Sequence, residues 1–356
     1  MSPRSNILFV ATQFGSFNML YPILMKCMAN YGVGYMGISA ITGDGLILNR
    51  TIGENDHIPS WVLERYNLVV TGTSHLSEVE YDVWREAAKR NIGSVCVLDS
   101  SKGCGDRFIK NGSAVYPDVI CVVDEKAVEA LIDLGAPKER IVVTGSPYLE
   151  AVNAFRLSVE EREQEKKVAS PEGKKIVTFC TEYLAKSGEA GRYGYDELTI
   201  LRDLLLYIDQ RGPGRFKLLI KLHPNDSAGI YNDFMQGASS AVDWQVVYAD
   251  TEKKFLQISD VVVGMTSVIL TEALMLDLPV VSYQPVTDAG MVHYAVGLQP
   301  EFCVTSRDAF FTLLDNKLSP GNRMSDVCVE APRHGSLNAL MKVIDRALPE
   351  QGDAAR

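Results

Sequence analysis

A lysine and a histidine stand at the end of an apolar run in the segment IKLHPND, residues 220–226. Proline and Asn-Asp commonly mark a turn, so a purely structural turn is one interpretation of this pattern. The alternative is that Lys221 and His223 face a bound anion, because an ammonium and an imidazolium both stabilise negative charge on a phosphate. This alternative predicts a ligand that contains phosphate.

Hydroxyl residues follow another apolar run, in DVVVGMTSVILTEALMLDLPVVSY, residues 260–283. The run ends at Gly264, Thr266 and Ser267 precede a predicted helix, and Glu272 falls in its early turns. Hydroxyls and free N–H groups at a helix start bind phosphate without net positive charge, and a carboxylate such as Glu272 accepts two hydrogen bonds from a ribose diol. Ordinary N-capping by Thr266 or Ser267 is the structural alternative, and the two are compatible.

A charged loop, TEYLAKSGEAGRYGYDE, follows the apolar run KIVTFC of residues 175–180. It holds three glycines among Lys186, Glu189 and Arg192, and Glu182 is its acidic residue nearest the run. A mobile, charged loop at a strand end is typical of a lid over a substrate. A surface excursion without function is the alternative.

Polar residues also follow the apolar runs of the first half of the chain. In TQFGSFN, Gly15 allows close approach of the backbone to a ligand, and Ser16 or Asn18 is expected to cap the next helix. A plain strand-to-helix turn is the alternative. In VTGSPYLEAV, Ser146 and Pro147 are typical of the N-cap and first position of a helix.

An acid stands directly at a predicted strand end in DSSKGCGDRF, residues 99–108. Asp99 is either a general base or a cap for nearby backbone N–H groups. Arg107 is available to a ligand or to an ion pair with Asp106.

The elements that position these residues alternate between β-rich runs and helical patterns, which predicts βαβ units and a parallel sheet. Because the runs are apolar throughout, both faces of the sheet should be covered. The 356 residues suit two domains. We expect a first domain at 1–155, a charged linker or exposed helix at 156–174, a second domain at 175–330, and a C-terminal helix and tail at 331–356.

Composition excludes several classes of protein. The formal charge of −10 argues against nucleic acid as a partner. No run approaches the length of a membrane span, and the start turns polar too soon for a signal peptide, so a cytoplasmic protein is expected. The seven scattered cysteines form no CxxC pair, which predicts buried free thiols and no metal site.

The stretches KLHP, ISDVVVGMTSVILTEALMLDLPVV and VVTGSPYLEAV together resemble the GT-B glycosyltransferase superfamily. More narrowly, they are similar to cytidine-nucleotide users: bacterial sialyltransferases, polysialyltransferases, Kdo transferases and CDP-glycerol glycerophosphotransferases. The resemblance implies an α/β, GT-B-like fold of two Rossmann-like parallel-sheet domains that face each other across a cleft. It implies transfer of a sugar from a CMP- or CDP-linked donor to a glycan or small-molecule acceptor, without cofactor or metal. The resemblance does not indicate which oligomeric state the protein adopts.

Residue by residue, the resemblance makes His223 the contact to the donor phosphate and Asp99 the base that activates the acceptor. It also makes Thr266 and Ser267 the hydroxyl partners of His223. From their positions after the apolar runs, we add to the expected binding set Lys221, Glu272, Gly264 and Glu182 on the donor side and Gly15, Asn18 and Arg107 on the acceptor side. The chain departs from the pattern in having Thr-Ser where many relatives have Ser-Ser. It also has LDSS where some sialyltransferases have Asp-Asp-Gly.

UDP-GlcNAc 2-epimerases are the alternative family, which ERIVVTGSPYLEAV and LTEALMLDLPVV resemble. Those enzymes usually carry a His-Arg-Glu-Asn run after the first strand of the second domain, and this chain lacks it. A noncatalytic nucleotide-sugar-binding or assembly subunit is a third interpretation.

Overall fold

The structure is a computed structural model that describes residues 5–37, 56–74, 77–99, 104–188, 190–223, 225–238, 240–248, 253–286, 292, 298–319 and 335–349. Pro224 of the His-Pro pair, Glu189 of the charged loop and the tail 350–356 lie outside these ranges. The chain divides into two compact units. Unit 1 is Met1–Ala151 with Ala331–Arg356, and unit 2 is Val152–Glu330.

Unit 1 alternates strands and helices, as the apolar runs predict. Its strands are β1 (Asn6–Ala11), β2 (Gly32–Gly37), β3 (Leu68–Thr71), β4 (Gly93–Val97), β5 (Ile109–Lys110), β6 (Ser113–Ala114), β7 (Val119–Val122) and β8 (Ile141–Val143). The helices are α1 (Phe14–Met28), α2 (Ser60–Leu63), α3 (Val79–Lys89), α4 (Cys104–Phe108), α5 (Glu125–Asp133) and α6 (Pro147–Ala154), which crosses into unit 2.

Six of these strands form sheet 1, in the order β2-β1-β3-β4-β7-β8, with every pair parallel, while β5 and β6 form a separate antiparallel pair. The central strands are buried on both faces, which explains their continuous apolar sequence. Strand β2, with the sequence GVGYMG, escaped prediction because its glycines break the apolar pattern. Pairing with β1 in full register holds it at the sheet edge.

Unit 2 repeats this architecture. Its strands are β9 (Lys175–Cys180), β10 (Phe216–Lys221), β11 (Asp243–Val247), β12 (Val261–Gly264), β13 (Val280–Tyr283) and β14 (Cys303–Val304). Its helices are α7 (Val159–Ala169), α8 (Leu184–Ser187), α9 (Ala190–Tyr193), α10 (Glu197–Arg211), α11 (Ala228–Gly237), α12 (Lys254–Gln257), α13 (Val268–Met275) and α14 (Arg307–Leu318). The last helix of the chain, α15 (Ser336–Ala347), belongs to unit 1.

Sheet 2 has the order β11-β10-β9-β12-β13-β14, again with every pair parallel among the strands described. Its inner strands bury Val177, Phe179, Leu218 and Val263 against the flanking helices. Two Rossmann-like units with parallel sheets therefore confirm the α/β prediction.

Local signals set several helix starts where the sequence places them. Ser146 accepts the backbone N–H of Leu149 at 3.2 Å ahead of Pro147, as predicted. In the charged stretch 156–174, Ser158 and Glu161 form a capping box that begins α7. That stretch therefore contains an exposed helix, which was one of the two alternatives.

The described thiols are free. Cys27, Cys96, Cys121 and Cys180 are buried, as predicted, and Cys303 is half-buried. Burial raises the pKa of the Cys180 thiol to about 12, so this group stays protonated at neutral pH.

Candidate functional site

The chain changes direction across sheet 2 between β9 and β12. Strands β10 and β11 lie on one side of β9, and β12, β13 and β14 lie on the other. The loops that leave the carboxyl ends of β9 and β12 therefore diverge to opposite sides. In open parallel sheets ligands bind in the crevice at this switch point. The donor-side residues predicted from sequence all stand at or just after the carboxyl ends of β9, β10 and β12, or on the helix that follows β12.

Glu182, two residues past β9, reaches the start of α13. Its Oε1 accepts hydrogen bonds from the backbone N–H groups of Met265, Thr266 and Ser267 at 2.9, 2.5 and 2.8 Å. Its Oε2 accepts the Thr266 hydroxyl at 2.6 Å. Burial raises the pKa of Glu182, and these hydrogen bonds oppose that rise. The N–H groups predicted to bind a phosphate thus bind a carboxylate of the chain itself.

Two neighbouring residues have a structural explanation in this site. The Ser267 hydroxyl caps α13 by accepting the N–H of Ile269 at 3.4 Å. A Cβ added to Gly264 would lie 3.1 Å from Cδ2 of Leu270. This glycine therefore permits close packing of α13 on β12, whether or not a ligand binds.

Lys221 ends β10 and is only 8% exposed. Among the residues that the structure describes, its ammonium forms no hydrogen bond and no ion pair. Burial lowers its pKa, which the nearby Glu272 carboxylate opposes. Glu272 is itself 3% exposed and pairs with Lys253 at 3.2 Å. Lys221 therefore lies in a buried, charged environment with Glu272 and Lys253, where an anionic ligand would offset the cost of its own charge.

His223 lies in the loop after β10, half-buried. Its Nδ1 accepts the N–H of Asn225 at 3.2 Å, so in the neutral ring Nε2 carries the proton. The ring stacks on Tyr183, with centroids 5.9 Å apart. Burial, and then the charge of Lys221, lower the pKa of His223. This lowered pKa favours the neutral imidazole over the imidazolium, and contact of His223 with a phosphate stays a prediction.

The lowered pKa of His223 predicts a dependence of stability on pH. The unfolded chain binds the proton near pH 6.5 and the folded chain only at lower pH, so folding stability falls as pH drops below about 6.5. Thermal unfolding of wild type and His223→Gln between pH 5 and 8 checks this. The variant should lose less stability on acidification, and parallel curves for the two proteins would contradict the assignment.

In unit 1, the corresponding switch point lies between β1 and β3. Asp99 pairs with Arg107, whose guanidinium also contacts the Thr73 hydroxyl. The Asp99 carboxylate lies against Gly15, where an added Cβ would be 2.8 Å from Oδ2. The structure thus brings together Asp99, Arg107 and Gly15, and Arg107 pairs with Asp99. The Asp106 side chain, which the sequence offers as another partner, is outside the description.

The expected caps of α1 are wrong. This helix begins at Phe14 after an N-cap at Gln13, so Ser16 and Asn18 lie inside it. Close contact of α1 with the loop after β3 explains the early start, because the Ser16 hydroxyl donates to the Thr73 carbonyl at 2.5 Å.

A buried acid in unit 1 was not anticipated from sequence. Glu80 is 1% exposed, and its Oε1 accepts both the N–H and the hydroxyl of Thr12, at 3.0 and 2.7 Å. Burial raises its pKa. An acidic residue near the start of a helix is usually exposed to solvent, so the sequence did not indicate a buried Glu80. Its contacts with Thr12, directly after β1, exist only in the folded chain.

Lys253 and Tyr183 were also missed. Lys253 belongs to the polar sequence DTEKK, which follows β11 at the same edge of the sheet as Lys221. Its position after an apolar run could have identified it as a site residue. Tyr183 adopts a left-handed backbone conformation with φ 64°, which an isolated sequence does not indicate for tyrosine.

Several of the solved structures similar to the chain are UDP-GlcNAc 2-epimerases. The Neisseria meningitidis enzyme bound to UDP-GlcNAc matches with a TM-score of 0.65 and 12% identity, over 96% of this chain and 100% of that one. The S. aureus MnaA–UDP structure gives 0.67 and 12%, over 96% of each chain. The Methanocaldococcus jannaschii enzyme gives 0.68 and 10%, over 96% and 99%. At such identities the likeness shows the fold alone, which is GT-B-like.

No protein-family model matches the sequence, and a comparison with curated proteins finds no match. No helix in the described part of the chain is long and apolar enough to cross a membrane.

Proposed function

We propose that the chain is a nucleotide-sugar enzyme with the activity of a UDP-GlcNAc 2-epimerase, and that it binds the nucleotide at the carboxyl edge of sheet 2. The observation that carries the proposal is Lys221, a buried ammonium without a partner among the described residues, beside the topological switch point. An unpaired buried charge costs several kcal/mol. A bound phosphate would remove that cost.

Uridine is the proposed base. The similar structures include one bound to UDP-GlcNAc and one with UDP, and both cover nearly the whole chain. The cytidine expectation rests on short motifs, and these comparisons do not support it. The nucleotide would place phosphate near Lys221, and its ribose near Glu272, which lies in the same buried, charged environment.

Epimerisation at C2 of the sugar requires removal of the C2 proton as the C1–O bond to UDP breaks, so that a C1=C2 double bond forms and UDP leaves with the electron pair of the C1–O bond. A proton must then return to the opposite face of C2 while UDP or water bonds to C1. Carboxylates serve both purposes when burial or a neighbouring charge adjusts their affinity for the proton. Asp99, which pairs with Arg107, and the buried Glu80 are two acids of unit 1 whose effect on turnover we propose to test.

Incubation with UDP-GlcNAc in deuterated water, without an acceptor, tests the activity. An epimerase should incorporate deuterium at C2 and release ManNAc or its UDP conjugate, both measurable by NMR. A chain that leaves the substrate undeuterated while it binds UDP would contradict the epimerase and retain only the nucleotide site.

Glycosyl transfer is the second candidate, and one observation favours it. The loop after β9 lacks the His-Arg-Glu-Asn run that UDP-GlcNAc 2-epimerases usually carry. Thermal shifts across UDP, CDP, CMP and AMP separate the two candidates, because a ligand that binds only the folded state raises its apparent stability. The epimerase predicts the largest shift with UDP, and the transferase predicts it with CMP or CDP.

A further inference from the structure

The anion position of unit 2 is already filled. Three consecutive backbone N–H groups and one hydroxyl at the start of α13 converge on the Glu182 carboxylate. The helix has eight residues, and its Ser267 cap supports it independently. The same position lies at the switch point between β9 and β12, where a ligand is expected. Glu182 therefore holds the hydrogen bonds that a phosphate would otherwise take.

We propose that Glu182 is a specificity-determining residue, whose carboxylate competes with the phosphate of the substrate for the start of α13. This inference rests on the proposed nucleotide site. A ligand must bring enough negative charge to displace Glu182, so the site selects nucleoside diphosphates and rejects nucleosides without phosphate.

The two anions exclude each other. Two negative charges in contact repel more strongly in a partly buried site than in water, because the effective dielectric there is lower. The N–H groups of residues 265–267 are each committed to a single acceptor, Glu182 Oε1. A phosphate that reaches these groups thus requires Glu182 to turn away.

Lys221 supplies the attraction that favours the phosphate. It ends β10 opposite Cys180, the last residue of β9, so it borders the same strand end from which Glu182 departs. While Glu182 holds the start of α13, the Lys221 ammonium forms no ion pair with a described residue. A diphosphate carries enough negative charge to pair with Lys221 and to accept the N–H groups at the start of α13. The single carboxylate of Glu182 occupies only the start of α13.

The loop next to Glu182 is anchored on its far side. Tyr183 has φ 64°, a left-handed conformation that is uncommon for a non-glycine residue. Beyond it, the carboxylate of Glu197 accepts the N–H groups of Leu184 and Ala185. Displacement of Glu182 by a phosphate thus requires only a change in the Glu182 side chain, and the contacts of Glu197 are independent of it.

Substitution of Glu182 by alanine tests the competition. By isothermal titration calorimetry, Glu182→Ala should bind UDP roughly 2- to 30-fold more tightly than wild type, the range expected for removing a carboxylate from a helix start. The variant should also melt at a lower temperature. A merely structural cap would lower the melting temperature without tightening UDP binding, and unchanged or weaker affinity would overturn the inference.

The Asp124→Ala variant is the matched control, because Asp124 caps α5 of unit 1 by accepting the N–H of Ala127 at 2.9 Å. It should lose comparable stability and keep the wild-type affinity for UDP. Inorganic pyrophosphate separates this inference from the proposed function. Stabilisation of Glu182→Ala over wild type by pyrophosphate, without UDP binding, would uphold the competition and refute the nucleotide site. Equal binding of UDP by Glu182→Ala and wild type would refute the competition and uphold the nucleotide site. Failure of both proteins to bind either UDP or pyrophosphate would refute the competition and the nucleotide site together.

Discussion

Replacement of Lys221 by methionine should weaken UDP binding by about 30-fold or more and leave the unliganded protein at least as stable as wild type. The loss follows because an ammonium that pairs with a phosphate in a buried site contributes about 2 kcal/mol or more. The gain in stability follows because Lys221 is only 8% exposed and its ammonium has no partner among the described residues, while methionine fills similar volume without charge. Calorimetry with UDP and thermal unfolding without ligand measure the two effects.

Lys217→Met is the control for this substitution. Lys217 lies on the same strand, and its ammonium donates to the Ala169 carbonyl at 2.8 Å, away from the carboxyl edge. The Lys217→Met variant should bind UDP with the affinity of wild type. A Lys221→Met protein that melts at a lower temperature yet binds UDP normally would show that Lys221 is structural, and the nucleotide site would lose its main support.

Replacement of Asp99 by alanine should destabilise the protein by about 3 kcal/mol, the lower end of the cost of breaking a buried ion pair. The Arg107 side chain is 3% exposed, and the variant leaves its guanidinium without this carboxylate. Chemical denaturation measures the loss. The consequence for function is that any fall in the activity of Asp99→Ala must be expressed per folded molecule before Asp99 is assigned as a base.

Asp82→Ala provides the comparison, because Asp82 pairs with Arg85 at 2.6 Å and has the same 25% side-chain exposure as Asp99. Arg85 is 47% exposed, so its pair should contribute under about 1 kcal/mol. The double variant Asp99→Ala, Arg107→Met should recover much of the stability, since it removes both charges. Equal losses in Asp99→Ala and Asp82→Ala would contradict the importance of burial.

Fold class was accessible from sequence, because the signals that define it are local. Strand β9 has the same bounds as the apolar run at residues 175–180, since a strand covered on both faces leaves an unbroken apolar pattern. The helix start at Ser146-Pro147 was equally clear, because a cap acts within a few residues. Glycine-rich β2 was missed, since its pairing with β1 and not its composition makes it a strand.

The sequence predicted which residues belong to the candidate site, but not which of them contact each other. Sequence placed Glu182, Lys221, His223 and Thr266 after apolar runs, and parallel strands bring such residues to one edge. Which side chain meets which group depends on strand order. Glu182 meets Thr266 across 84 positions because β9 and β12 are neighbours in sheet 2.

Charge states also required the tertiary structure. A histidine after a lysine suggested an imidazolium, whereas burial and the Lys221 charge lower the pKa of His223. The sequence by itself determined two parallel-sheet units and the edge at which their polar residues gather, because hydrophobic pattern and capping act over short distances. Only the tertiary structure decided that a carboxylate holds the start of α13 and that Lys221 lacks a described partner, because burial and long-range pairing set the energy of a charge.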